Sequence, residues 1–306
     1  MKYIFFGTPE FAAIILKKLI AAGFIPEAVV CNPDKPVGRK KIITPPAVKL
    51  SIMNQVGNIK DKIKILQPEK LNIQNIYNWC DRTNCIYQDC DFFIVAAYGQ
   101  IIPKEILEIP RLGTIGVHPS LLPKYRGVSP IQTAILNGDK ETGTTFYLMD
   151  EKIDNGPILA QKALENYELG IMNYESLMRK LAELSADLLI EILPNIEEKI
   201  KNAVSQNENQ AVYTKKIAIE DAFIESQDLE KAQNGSAGSS QVAAEIDRKI
   251  RALNPEPGVW TFMDIKSEKK RVKLLGAELV DGKLKLTKIQ VEGKKPQNTN
   301  LICGIV

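Results

Sequence analysis

The chain has 306 residues, 44% apolar and 25% charged, with 40 Lys and Arg against 37 Asp and Glu. That length and balance suit one large or two ordinary folded domains and exclude wholesale disorder. No apolar run reaches the roughly 20 residues a membrane-spanning helix needs, and the N-terminal apolar stretch is too short for a secretory signal; a cytoplasmic protein with no membrane partner is expected.

Residues 2–6 are a short, aromatic-rich apolar run that predicts a buried strand. Gly7 supplies a turn, Thr8 suits a helix N-cap and Pro9 a first helical position. Phe11, Ile14, Ile15, Leu19 and Ile20 then recur at helical spacing up to Gly23. A strand over 27–31 follows, and this strand–helix–strand order is the signature of a parallel sheet. Further strands are expected over 91–97, 114–118 and 144–149, with a crossover helix over 129–136. Tyr174, Leu177, Met178, Leu181, Leu184, Leu188 and Ile192 mark a long amphipathic helix that stops at Pro194.

After Pro194 the texture changes. Residues 195–210 are polar and without periodicity and read as a linker. Residues 231–241 read as a mobile surface loop, and 239–253 as a helix with Val242, Ile246, Ile250 and Leu253 on one face. Residues 271–274 and 283–291 alternate aliphatic with basic or polar side chains, which puts the aliphatics on a core and the lysines outward, as in a small antiparallel barrel. The fold class is therefore α/β: a Rossmann-like parallel-sheet domain over 1–194, a linker over 195–210 and an OB-like antiparallel β-barrel domain over 211–306.

Five cysteines (Cys31, Cys80, Cys85, Cys90 and Cys303) are an odd set without a disulfide framework. Cys80, Cys85 and Cys90 lie five apart, wider than the paired spacing of zinc ligands. Reduced thiols and no metal are expected.

Two segments can carry chemistry. One runs from Gly113 to Gly127, where a strand ends at the only His of the chain, His118, and a Pro-bounded loop follows. The other, from Met149 to Pro157, holds the carboxylates Asp150, Glu151 and Asp154. Ligands of open parallel sheets bind beyond the carboxyl ends of the strands, so the two segments can meet in one cleft. A His–Asp pair orients an imidazole and moves protons during acyl transfer. A G-x-S-x-G elbow is missing, which argues for direct transfer between two bound substrates rather than an acyl-enzyme. Neither G-x-G-x-x-G nor a P-loop is present, so a dinucleotide cofactor is not expected.

Basic residues gather in two zones. Residues 33–64 carry eight (Lys35, Arg39, Lys40, Lys41, Lys49, Lys60, Lys62 and Lys64) against Asp34 and Asp61, and residues 264–306 carry ten against five acidic ones. Either zone alone is ordinary solvated surface. Together they suit a polyanion such as RNA held by its phosphates.

At this point a family resemblance emerges. Phe6-Gly-Thr-Pro-Glu-Phe11, Asn32-Pro-Asp-Lys-Pro-Val-Gly-Arg39, Leu66-Gln-Pro-Glu-Lys-Leu71, Ala97-Tyr-Gly99, His118-Pro-Ser-Leu-Leu-Pro-Lys-Tyr-Arg-Gly127, Pro130-Ile-Gln132 and Met149-Asp-Glu-x-x-Asp-x-Gly156 resemble the methionyl-tRNA formyltransferase family. Ile250-Arg-Ala-Leu-Asn-Pro255 and Val291-Glu-Gly-Lys-Lys-Pro296 resemble the C-terminal domain of that family. The resemblance implies transfer of formyl from 10-formyltetrahydrofolate to the amino group of methionine on initiator tRNA; separately, a monomer is expected. It implies that Ser120, Leu121, Leu122 and Pro123 line the folate site, with backbone of Ala97, Tyr98, Gly99 and Gln100. His118 would hydrogen-bond the formyl oxygen, and Asp154 would orient that ring and assist removal of the amine proton. Lys35, Arg39, Lys40 and Lys41 would approach the acceptor end of the tRNA, and Lys283, Lys285, Lys288, Lys294 and Lys295 its backbone. One position departs: the family has Asn two residues before the His, where this chain has Gly116. Loss of one oxyanion donor typically costs about 10²–10³ in rate, so a water or a neighbouring side chain in its place, a slower enzyme, or a binding-only relative are the accounts this departure leaves open. A formyltransferase acting on a sugar or nucleotide amine is the other enzyme reading, and the two basic zones weigh against it.

Overall fold

A computed structural model describes residues 1–38, 40–54, 59–78, 87, 89–165, 170–235, 237–265 and 267–299. The chain divides into two compact units. The first comprises Met1–Gly127, Thr142–Glu165 and Met178–Tyr213, the second Val128–Glu141, Asn166–Leu177 and Thr214–Val306.

The first unit opens with β1 (Tyr3–Gly7), α1 (Glu10–Ala21) and β2 (Ala28–Val30). A short antiparallel hairpin of β3 (Lys35–Val37) and β4 (Ile42–Thr44) follows, then α2 (Ala47–Met53), α3 (Ile59–Lys62), β5 (Lys64–Leu66) and α4 (Ile73–Asn78). Next come β6 (Phe92–Ala96), α5 (Lys104–Leu107), β7 (Thr114–His118) and β8 (Arg126–Gly127). The chain continues through α6 (Pro130–Asn137) in the second unit to β9 (Glu141–Leu148), β10 (Ile158–Glu165), α7 (Tyr174–Ile192), α8 (Ile196–Lys201) and β11 (Tyr213–Thr214).

Seven strands form one sheet in the order β10-β9-β7-β6-β1-β2-β5. β5, β2, β1, β6 and β7 run parallel, and β9 joins β7 antiparallel. Every residue of β1, β6 and β7 is buried, as expected where both faces of a parallel sheet are covered. Strand order reverses between β1, which continues to β2, and β6, which continues to β7. A crevice opens at such a switch point, at the carboxyl ends of the strands. Gly7 ends β1 there because it has no side chain. A Cβ at Gly7 would lie 2.6 Å from the Ala12 Cβ, 2.8 Å from the Phe5 ring and 3.0 Å from the Ala96 carbonyl.

The second unit holds α6, α9 (Ser226–Asn234), α10 (Ser239–Leu253) and an antiparallel sheet. Its strands are β12 (Trp260–Ile265), β13 (Glu268–Val280), β14 (Lys283–Val291) and β15 (Gln297–Asn298), paired in that linear order. The alternation along β14 is as expected: Leu284, Leu286, Ile289 and Val291 are buried while Lys283, Lys285 and Lys288 are exposed. Helix α10 buries Ala243, Ile246, Ile250 and Leu253 against β13, β14, α6 and α9.

Three local expectations differ from what is observed. Residues 195–210, expected as a linker, hold α8 and belong to the first unit; Ile196 is buried, and Val204 and Ile158 exchange backbone hydrogen bonds. Residues 231–234 finish α9 instead of forming a loop, because Gly235, in the left-handed region, caps that helix. Residues 128–141, with α6, fall in the second unit rather than in the 1–194 domain. Among the described residues, no helix is long and apolar enough to cross a membrane. Gly7→Ala is expected to lower the unfolding free energy by about 1–3 kcal/mol through overpacking, read as the midpoint of urea denaturation; an unchanged midpoint would contradict the packing described.

Candidate functional site

The carboxyl ends of β1, β2 and β6 are tied by a polar network built from the sequence motifs of the first unit. The Thr8 hydroxyl, expected as a helix cap, instead donates to the Tyr98 carbonyl (2.9 Å); the position before α1 is taken by Pro9, without a side-chain cap. The Asn32 amide also donates to the Tyr98 carbonyl, and Gln100 donates to Asn32 Oδ1 (2.7 Å) while accepting from the Leu71 N–H. Gln67 donates to the Asn32 carbonyl and to Asp34, and the Lys49 ammonium meets both Asp34 oxygens at 2.9 Å. Hydrogen bonding from Gln67, then Lys49, holds the Asp34 carboxyl below the usual carboxylate range. Lys49 is thus part of this frame and not a free surface cation. The Tyr98 ring points into the apolar core against Phe6 and is turned away from solvent. Ala97 and Gly99 are exposed there, both with positive φ (47° and 82°).

The loop after β7 is pinned at nearly every step. The Ser120 hydroxyl donates to the Lys124 carbonyl. Thr145 accepts from the Leu122 N–H and donates to the Ser120 carbonyl, and Gln161 donates to the Leu122 carbonyl. Ser120 and Leu122 are buried, whereas Leu121 and Pro123 are partly exposed. The Ser120 side chain therefore shapes the loop rather than facing outward.

His118 ends β7 and is buried, and its Nε2 lies 2.8 Å from the Tyr125 carbonyl. A carbonyl only accepts, so Nε2 carries a proton, and Nδ1 is held by Asp154 when it carries one as well. The other nitrogen, Nδ1, lies 3.5 Å from Asp154 Oδ2. The structure thus brings together the His and Asp that stand 36 positions apart in the sequence.

Asp154 sits in the left-handed region (φ 50°), in the turn after β9. The carboxylates of that turn have separate tasks. Asp150 closes the turn by accepting from the Lys152 N–H and the Asn155 amide, and Glu151 pairs with Lys104 at the surface. Asp154 alone turns inward. Its Oδ2 accepts from the Gly127 N–H (2.7 Å) and its Oδ1 from the Tyr147 hydroxyl (2.6 Å). Burial first, and then the Asp154 charge, push the Tyr147 phenol well above its ordinary range, so it stays protonated and donates. Tyr147 faces Gly116 across the β7–β9 pairing.

Several supporting groups went unnoticed in the sequence. Gln206, inside the expected linker, donates to the Asp154 and Gly156 carbonyls (2.9 and 2.8 Å). Arg126, 0% exposed, donates to Gln206, Glu208 and the Tyr213 hydroxyl. It holds the Glu208 carboxyl below the usual carboxylate range. Polar residues without periodicity resemble a linker until their hydrogen-bond partners are known; Tyr147 was detectable as the strand residue on the same face as Thr145.

Lys35 opens β3 and Lys41 lies in the connection to β4 of an exposed hairpin whose Ile42 and Ile43 are also solvent-facing (61% and 63%), Lys40 is exposed, and Arg39 lies outside the described residues. Lys294 and Lys295 are exposed. Cys31 and Cys90 are buried free thiols that burial pushes up to about 12, whereas Cys80, Cys85 and Cys303 lie outside the described residues. Among the described residues, no three His, Cys, Asp or Glu converge as metal ligands.

The fold is of the α/β class, with a candidate His–Asp site beyond the strand ends of its sheet. Residues 1–193 match the formyl transferase model, and residues 239–284 the formyl transferase C-terminal domain. The chain belongs to the methionyl-tRNA formyltransferase family. It is 38% identical over 283 residues to the methionyl-tRNA formyltransferase of Staphylococcus aureus (strain N315), covering 92% of this chain and 80% of that protein. The fold is shared with the methionyl-tRNA formyltransferase of Clostridium thermocellum (TM-score 0.55, 18% identity, 95% of this chain and 98% of that one). It is shared too with an N-formyltransferase of Helicobacter canadensis solved with folinic acid and dTDP-3-aminofucose (TM-score 0.59, 19% identity, 92% and 88%).

Gln206→Ala removes the donor to two site carbonyls and a partner of buried Arg126. Unfolding in urea is expected to become easier by about 1–3 kcal/mol; unchanged stability would mean these bonds add nothing to the loop.

Proposed function

We propose that this chain transfers the formyl group of 10-formyltetrahydrofolate to the amino group of methionine carried on initiator tRNA. The single observation that carries this reading is the His118–Asp154 pair, with Nδ1 3.5 Å from Oδ2, at the strand-end edge of a chain of this family.

The exposed backbone of Ala97 and Gly99 and the partly exposed Leu121 and Pro123 are the groups offered to the folate. These positive-φ and loop residues give a bound ring backbone donors and acceptors with an apolar wall, the usual make-up of a small-molecule site. His118 directs its Nε2–H toward the Tyr125 carbonyl. A formyl oxygen arriving at that edge competes for the same proton, and gains a donor as negative charge develops on it. Asp154 keeps the imidazole oriented through Nδ1 and accepts the proton that the attacking amine must lose, directly or through a water. The formyl carbon–N10 bond breaks as the new amide forms, and N10 takes up a proton. The bonds from Gly127 and Tyr147 leave Asp154 little freedom to turn away.

The exposed lysines of β14 (Lys283, Lys285 and Lys288), with Lys294 and Lys295, supply phosphate contacts. The hairpin bearing Lys35 and Lys41 offers both charge and apolar surface to the acceptor end.

With purified chain, labelled formyl donor and charged initiator tRNA, His118→Gln is expected to lower transfer by at least 100-fold while tRNA affinity changes less than twofold; unchanged turnover would remove His118 from the reaction. Reversing charge at Lys283, Lys285 and Lys288 together is expected to weaken tRNA binding and to reduce the slope of log affinity against log salt by about 2–3, close to one per phosphate contact. A slope equal to that of the intact chain would refute the role given to β14.

A further inference from the structure

We infer that Gly116 and Tyr147 are a matched pair, in which the missing side chain at 116 admits the Tyr147 ring and the Tyr147 hydroxyl positions Asp154 beside His118. The inference rests on the formyl-transfer reading above and adds to it a positioning residue on β9.

The register sets up the encounter. On β7, Gly116 and His118 are two apart and face the same side of the sheet. Their partners on β9 are Tyr147 and Thr145, so the Tyr147 ring projects on the face that carries the imidazole. It does not project past Gly116 but across it. A Cβ built on Gly116 would lie 2.5 Å from Tyr147 Cζ and 2.8 Å from its hydroxyl oxygen, closer than real Cβ contacts, with Cε1 nearer still. Gly116 has no positive φ to explain it, so the close approach of the ring is what the glycine permits.

The ring delivers its hydroxyl to Asp154 Oδ1 at 2.6 Å, the oxygen that Gly127 does not hold. With both oxygens engaged, the carboxylate of a residue in the left-handed region keeps one oxygen turned to His118 Nδ1. A hydrogen bond from a neutral donor to a carboxylate is charge-assisted and stronger than a neutral pair. This accounts for Gly116: the space beside it on β7 is filled from the neighbouring strand, and the hydroxyl that comes with the ring donates to Asp154. Tyr147 touches Asp154 and not the reacting atoms, so it acts through that residue.

Tyr147→Phe keeps the ring and removes only the hydroxyl. In the tRNA formylation assay its kcat is expected to fall roughly ten- to hundredfold, the worth of a hydrogen bond to a charged group. KM for the folate and for charged tRNA should stay near the wild-type values, and the thermal midpoint should fall by no more than the several degrees that one lost hydrogen bond allows. A side chain that merely filled space would leave kcat unchanged in this variant. Gly116→Ala pushes the ring aside and should lose activity to a similar extent. Adding Tyr147→Leu to Gly116→Ala relieves the clash and should restore thermal stability without restoring kcat. Tyr147→Phe within twofold of wild-type kcat, in an assay where the wild-type chain formylates Met-tRNA, overturns this inference alone; a wild-type chain that makes no formyl-Met-tRNA overturns the proposed function and this inference with it.

Discussion

The site depends on the way one carboxylate is held. Asp154 has two oxygens and three neighbours: the Tyr147 hydroxyl on Oδ1, the Gly127 N–H on Oδ2, and His118 Nδ1 beside Oδ2. Each comes from a different segment, and none would face the others unless the sheet, the loop and the turn were all in register. A carboxylate so placed can neither swing into solvent nor lose its imidazole neighbour without breaking hydrogen bonds, which is the preorganisation that proton transfer requires.

The rest of the first unit supports that arrangement. β7 is fully buried and fixes His118 at its end, while β9 pairs antiparallel and sets Tyr147 opposite Gly116. Thr144 on β9 is bonded to Ser185 on α7, so the strand that carries Tyr147 is anchored from behind. Gln206 holds the Asp154 turn by its carbonyls, and Arg126 is buried against the same segment. At the other side of the switch point, Thr8, Asn32, Gln67 and Gln100 use their side chains to fix backbone. The motifs that look most like ligand contacts in the sequence are in part internal scaffolding.

β1, β6 and β7 were legible because five-residue apolar runs bounded by turn residues have few other uses, whereas the three-residue β5 gave no such run; the alternation along β14 marked its buried and exposed faces. The meeting of His118 with Asp154 followed from both lying at strand ends. Three features were hidden for physical reasons. The segment 195–210 is held largely by polar bonds, Gln206 donating to the Asp154 and Gly156 carbonyls and Glu208 accepting from Arg126, so no periodicity announced it. Thr8 has the residue type of a cap but spends its hydroxyl on the Tyr98 carbonyl. Gly116 left several accounts open, a neighbouring side chain among them, because a sequence shows what is absent at a position and not which neighbour has moved into the space.

The central claim is that Asp154 acts as a carboxylate beside His118. The most direct test is the single-turnover rate of formyl transfer to Met-tRNA by Asp154→Asn, a change that keeps shape and removes charge. The account predicts a rate at least 100-fold below wild type with folate and tRNA binding retained; a rate within a fewfold of wild type would contradict it.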